Sequence, residues 1–120
     1  MSIIDHAIDQ IKEYHAHLYY DEKRLPMAQA LREHVHTKFG VFVGTLHQRN
    51  VGPHLTWSCQ ITVPKEMFGT IIPWLSLNRG DVDVFVHADT GDDFLDHTAH
   101  VMWLGRSYDL NKGIFKTGPQ

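Results

Sequence analysis

The sequence predicts an α+β fold, with one antiparallel sheet and two helices packed on one of its faces. Two observations carry that expectation. Stretches of period-two alternation are interleaved with two stretches of helical periodicity in the order βαββαβ. A chain of 120 residues, 42% of them apolar, with no linker, repeat or low-complexity run, buries one core, so residues 1–120 are expected to form a single domain. The order is that of the ferredoxin-like split βαβ sandwich, which covers one sheet face with helices and leaves the other open.

Taken along the chain, Ile3, Ile4, Ala7, Ile8 and Ile11 fall at helical spacing and suggest a short leading helix or docking arm. Lys12 to Asp21 alternates as a strand, with His15, His17 and Tyr19 on one side and Tyr14, Ala16, Leu18 and Tyr20 on the other. Pro26 near the start, Met27, Leu31, Val35 and Phe39 four apart, and Gly40 beyond the end mark the first helix. Val41 to His47 and Leu55 to Val63 read as a strand pair around the turn-prone Gln48 to Pro53. Pro64 opens a second helix with Met67, Phe68, Ile71, Ile72 and Leu75 inward, which Pro73 should kink or interrupt before Asn78-Arg79-Gly80 ends it. In the strand Val82 to His87, the valines face one way and Asp83, Phe85 and His87 the other. After a turn-rich segment, His97 to Leu104 is expected as an extra C-terminal strand beside it, followed by an irregular tail from Gly105 to Gln120.

Composition narrows the function. A formal charge of −3 with scattered Lys and Arg provides no basic stripe for a nucleic-acid backbone. The lone cysteine, Cys59, has no intrachain disulfide partner, and Met1 to Asp9 lacks the pattern of a secretory leader, so the cytoplasm is the expected compartment. No apolar run approaches the roughly 20 residues that cross a bilayer, so no membrane role is expected. The unusual feature is ten histidines.

If the apolar side of each strand lies under the helices, His15, His17 and His87 turn to the open face. The first and fourth strands are antiparallel neighbours in this fold, so His15 and His87 could approach each other, joined by His97 or His100 if the fifth strand pairs with the fourth. His54, heading the third strand, should lie nearer Tyr19 and Tyr20 as a supporting or substrate-contacting group. Neutral imidazole is the commonest ligand of Zn and Fe, and an H-x-H pair on a strand projects both rings one way about 7 Å apart at Cα. Asp83, Asp89, Asp92, Asp93 and Asp96 are the carboxylates at hand. His6, His34 and His36 read as surface residues, Cys59 as core, and Trp74 and Trp103 as packing residues.

The segments YHAHLYYD (Tyr14 to Asp21), VGPHL (Val51 to Leu55), WLSLNRG (Trp74 to Gly80), VHADTGDD (Val86 to Asp93), DHTAH (Asp96 to His100) and WLG (Trp103 to Gly105) together resemble the successive motifs of the DOPA 4,5-dioxygenase family. One departure is Leu55, where a proline commonly follows the GPH histidine. The resemblance implies extradiol cleavage of a catechol such as L-DOPA by O2 at non-haem Fe(II), with about three positions of the metal filled by the protein. It implies His17 and His87 as metal ligands, joined by His15, His54 or His97, with whichever of these is unligated moving protons as an acid/base. Arg79 or Arg49 could hold a substrate carboxylate, although an ordinary surface role suits both. Zn can replace Fe(II) in a purified sample, since affinity for divalent ions favours it.

The competing expectation is a metal-binding or dimeric ferredoxin-like module without dioxygenase activity, its histidines lining an interface between copies. A homodimer is expected in either case, because an open sheet carrying Tyr19 and Phe85 needs cover.

Overall fold

A computed structural model of the chain describes residues 2–115. The antiparallel sheet has four strands: β1 (Glu13–Tyr20), β2 (Trp57–Pro64), β3 (Asp83–Asp89) and β4 (Val101–Leu104), in the order β2-β1-β3-β4. Helices α1 (Leu25–Phe39) and α2 (Phe68–Asn78) link the long strands, and a six-residue helix, α3 (Asp93–Thr98), lies between β3 and β4. This is the expected ferredoxin-like arrangement with its extra strand on the far side of β3.

The core lies where the alternation puts it. Ala16 and Leu18 of β1, Cys59, Ile61 and Val63 of β2, and Val84 and Val86 of β3 are all fully buried against Ala28, Leu31 and Val35 of α1 and Ile71 and Leu75 of α2. Helix α1 carries its proline in the first turn and ends at Gly40, whose φ of 68° lets its N–H reach the His36 carbonyl. Helix α2 runs through Pro73 without the expected interruption. The hydrogen bond that proline cannot donate would have gone to Gly69, and burial of Ile71, Ile72 and Leu75 on either side offsets its loss.

Four expectations are corrected. The leading segment is not a helix: it contains only a 3₁₀ turn at Ile8–Gln10, and Ile3, Ile4 and Ile8 stand exposed. So short a helix is marginal without a surface to pack on. The predicted strand Val41 to His47 keeps its place beside β2 but is reduced to one bridge, Val43 to Ile61, flanked by hydrogen bonds from Thr62 N–H to the Phe42 carbonyl and Gly44 N–H to the Gln60 carbonyl. The Gly44 carbonyl is taken by the Arg32 guanidinium at 2.7 Å, which draws it toward α1.

His97 and Thr98 belong to α3, not to a strand. Asp92 caps that helix by accepting from Leu95 N–H, Asp93 and Asp96 fill its first turn, and the last strand begins only at Val101.

The second sheet face, finally, is not open. Tyr19 and Phe85 are fully buried there. Trp103 stacks on Phe85 at 4.5 Å between centroids, Tyr108 meets Tyr19 at 5.0 Å, and Phe115 covers His97 at 4.6 Å. The tail supplying this cover is pinned by Asp83, which accepts hydrogen bonds from the Arg106 N–H and the Tyr108 hydroxyl. It starts back over the sheet at Gly105, where φ is 89° and a Cβ would collide with the Asp83 carboxylate and the Arg79 guanidinium. Tyr19 and Phe85 therefore do not call for a second copy of the chain. Residues 116–120 of the predicted irregular tail lie outside the described residues. Among the described residues, no helix is long and apolar enough to cross a membrane.

Candidate metal centre

The register of the sheet assembles the site. His15 sits directly opposite His87 across β1 and β3, and His17 opposite Phe85, so three imidazoles from two strands converge on the face away from the helices. The His17 and His87 Nε2 atoms are 3.1 Å apart, and one ring nitrogen from each of His15, His17 and His87 lies within 4.8 Å of the others. His54 comes from the loop before β2 and packs on His17 at 4.2 Å between centroids. It is held there by the Tyr19 hydroxyl at 2.6 Å from Nδ1 and by a bridge to Leu110. His97 approaches from α3 to 4.0 Å from the His87 centroid, with its Nδ1 on the Asp93 carbonyl.

All five histidines singled out from the sequence thus meet at one place. His100 instead pairs with Asp96 and is 41% exposed at its side chain. Arg79 donates to the Val82 carbonyl and pairs with Asp83, which commits it to the fold, while Arg49 is exposed in the loop after His47. Several of the aspartates considered have structural partners: Asp83 pins the tail, Asp92 caps α3, and Asp96 accepts from both the backbone and the hydroxyl of Thr90. Sequence reasoning passed over Glu13 against His15; for Tyr19, which it placed near His54, it missed only the hydrogen bond between them. Both lie on the same β1 face as the H-x-H pair, at i−2 and i+2, so the alternation already pointed to them.

Burial governs the electrostatics. It holds His17 well below the ordinary imidazole range, with the neighbouring histidines adding to the effect. Burial also lowers His87 to about 3 and His54 to about 4, and raises the Tyr19 hydroxyl well above its ordinary value. The buried imidazoles are therefore neutral near pH 7, the form that donates a lone pair to a metal ion.

The donor set fits a metal. His87 places its Nδ1 on the Ala88 carbonyl at 2.9 Å, so with the proton there its Nε2 keeps a lone pair. Two imidazole nitrogens, each about 2.1 Å from a shared ion in tetrahedral or octahedral geometry, are about 3.0–3.4 Å apart. The 3.1 Å between His17 and His87 falls in that interval. Beside the cluster lies a cavity of about 210 Å³, bordered by His17, His47, Pro53, His54, Ser58 and Gln60. A larger groove of about 810 Å³ separates the N-terminal arm from α3 and β4, and none of the five histidines lines it.

Residues 14–114 match the sequence profile of the Dopa 4,5-dioxygenase family. The chain belongs to that family. Among curated relatives, the DOPA 4,5-dioxygenase of Amanita muscaria is 33% identical over 111 residues, covering 85% of this chain and 49% of that protein. An uncharacterised 21.2 kDa protein of Botryotinia fuckeliana is 27% identical over 115 residues, covering 86% of this chain and 63% of that protein. The chain therefore spans about half to two thirds of the length of these relatives. A crystal structure from Nostoc punctiforme, described as a candidate dioxygenase, superposes with a TM-score of 0.88 at 33% identity, covering 91% of this chain and 95% of the other.

Proposed function

We propose that this family member is a metal-dependent dioxygenase that opens the ring of a catechol such as L-DOPA, with non-haem Fe(II) held by His15, His17 and His87. The observation that carries the reading is the buried His17 and His87 pair, with a third imidazole within 4.8 Å and a cavity alongside. The chemistry such an ion supplies is simultaneous binding of the catechol oxygens and dioxygen, which requires positions left free by the protein.

The surrounding side chains have roles that follow from their placement. His54 borders both His17 and the cavity, and the Tyr19 hydroxyl, kept protonated by burial, donates to its Nδ1. His54 then carries its own proton on Nε2, where it can donate to an oxygen of the substrate and receive the proton back. His97, with Nδ1 committed to the Asp93 carbonyl, presents Nε2 next to His87 as a second proton carrier. Ser58 and Gln60 give the cavity wall hydrogen-bonding groups, and the tail from Gly105 to Phe115 limits access of water from above.

The test is anaerobic reconstitution of metal-free protein with Fe(II), addition of L-DOPA or caffeate, and admission of oxygen. A yellow ring-opened product with matching O2 uptake, lost on replacing His17 and His87 together by alanine, is the expected result. Iron binding with no product from either catechol would rule out this reaction and leave a metal-binding protein of different activity. Failure to bind iron would remove the metal reading altogether.

A further inference from the structure

Glu13, which has been given no role so far, has its Oε2 2.6 Å from Nε2 of His15. A contact that short between carboxylate and imidazole is a charge-assisted hydrogen bond, and the carboxylate accepts, so the proton rests on Nε2 of His15. The lone pair of His15 is then on Nδ1. A ligating histidine commonly hands its other ring N–H to a carboxylate or carbonyl, which fixes its tautomer and strengthens it as a donor. His87 already does this with the Ala88 carbonyl, and the Glu13 contact gives His15 the same arrangement with the opposite nitrogen outward.

We infer that Glu13 is a positioning residue for His15, fixing the ring so that Nδ1 is the nitrogen presented toward His17 and His87. The inference rests on the metal reading above. Sheet geometry supplies independent support. Glu13 faces Asp89 across β1 and β3, two pairs along the ladder from the facing His15 and His87 and so the next pair outward on the same face. Directly opposed carboxylates repel, and such a pair is tolerated where a proton donor stands beside it. The His15 ring occupies that position, since a ring nitrogen of His15 and carboxylate oxygens of Glu13 and Asp89 all lie within 4.8 Å. Glu13 is also more exposed than His15, 36% against 19% at the side chain, so it acts from the rim and does not enter the buried cluster.

The test is Co(II) affinity of the metal-free protein, measured by chelator competition, together with the visible spectrum of the Co(II) form. Glu13→Gln, which keeps the shape but not the charge, should weaken binding about 10- to 100-fold, the range found for partners of ligating histidines, and Glu13→Asp should recover part of the loss. His15→Ala should weaken binding too, and adding Glu13→Gln to it should cost nothing more, because Glu13 acts only through His15. Glu13→Gln and His15→Ala should shift the Co(II) bands in the same direction. Wild-type affinity and an unchanged spectrum in Glu13→Gln would overturn the inference, as would losses that multiply in the double variant. Absence of Co(II) binding by the wild-type protein would instead overturn the metal reading on which it rests.

Discussion

On the helix side of the sheet, Ala16 and Leu18 of β1 and Val84 and Val86 of β3 are fully buried among aliphatic side chains. On the other side, the same strands present His17, Tyr19, Phe85 and His87, no more than 6% exposed, beneath a loop, a six-residue helix and an irregular tail. The two faces are nearly equally dry but are covered by different means. Apolar side chains require only matched volume, which regular helices provide. Buried imidazoles and a phenol each require a polar partner at a particular place, and here those partners include the Ala88 carbonyl for His87 and the Tyr19 hydroxyl for His54. One face is therefore held by packing and the other by pairing, and they should respond differently to perturbation.

The sharpest contrast comes from neighbouring residues on β1. Leu18→Ala should destabilise the metal-free protein by about 2–5 kcal/mol, read from the urea midpoint, with any retained fold still binding metal. His17→Leu should change metal-free stability by less than that and abolish metal binding. Equal stability losses at the two positions would show that the faces are held in the same way.

Acid should act on the histidine face. In the folded, metal-free chain His54 is lowered to about 4 and His87 to about 3 from an ordinary value of 6.5. Between pH 6.5 and about 3 the unfolded chain therefore binds more protons. The stability these groups contribute is complete above pH 6.5 and is lost as pH falls through that window, by an amount on the order of a few kcal/mol. Urea midpoints at successive pH values should trace the decline, and replacing both residues by glutamine should flatten it. An unchanged slope in the double variant would assign the acid sensitivity elsewhere.

Smaller effects are expected in the cover itself. Gly105→Ala meets both an unfavourable φ and the Asp83 and Arg79 side chains, so it should cost about 1–3 kcal/mol and speed amide exchange from residue 105 onward. Tyr19→Phe, which removes the hydroxyl at His54 Nδ1, should cost about 1 kcal/mol in stability while lowering turnover more than it changes substrate affinity. A pure affinity change would argue against the proton-carrying role of His54.

The same contrast explains what could be read in the sequence. Period-two and helical patterns report burial against a regular partner, so the helix-covered face, the order of the elements and the outward placement of His15, His17 and His87 were all legible. The leading helix failed because Ile3, Ile4 and Ile8 have the spacing but no surface to pack on. His97 was expected on a strand because the capping role of Asp92 was read only as part of a turn. The cover over Tyr19 and Phe85 depends on Gly105, Tyr108 and Phe115, isolated residues in a segment without periodicity, which is why the face looked open. Glu13 was within reach, two residues before the H-x-H pair on the same strand face, and Tyr19 was placed near His54, but the hydrogen bonds each makes to a particular ring depend on side-chain torsions that a pattern does not encode.

His17 and His87 are 70 residues apart in sequence and become neighbours only through the pairing of β1 with β3. Closing so long a loop is entropically expensive, and local contacts within the helices and their flanking turns cost far less to form. The site therefore cannot exist in a partly folded chain that has made only its local structure. A nascent or misregistered chain lacks the paired imidazoles, and a slip of one residue in β1 would turn His15 and His17 under the helices. The long reach between the two histidines makes correct folding a condition for assembling the imidazole cluster.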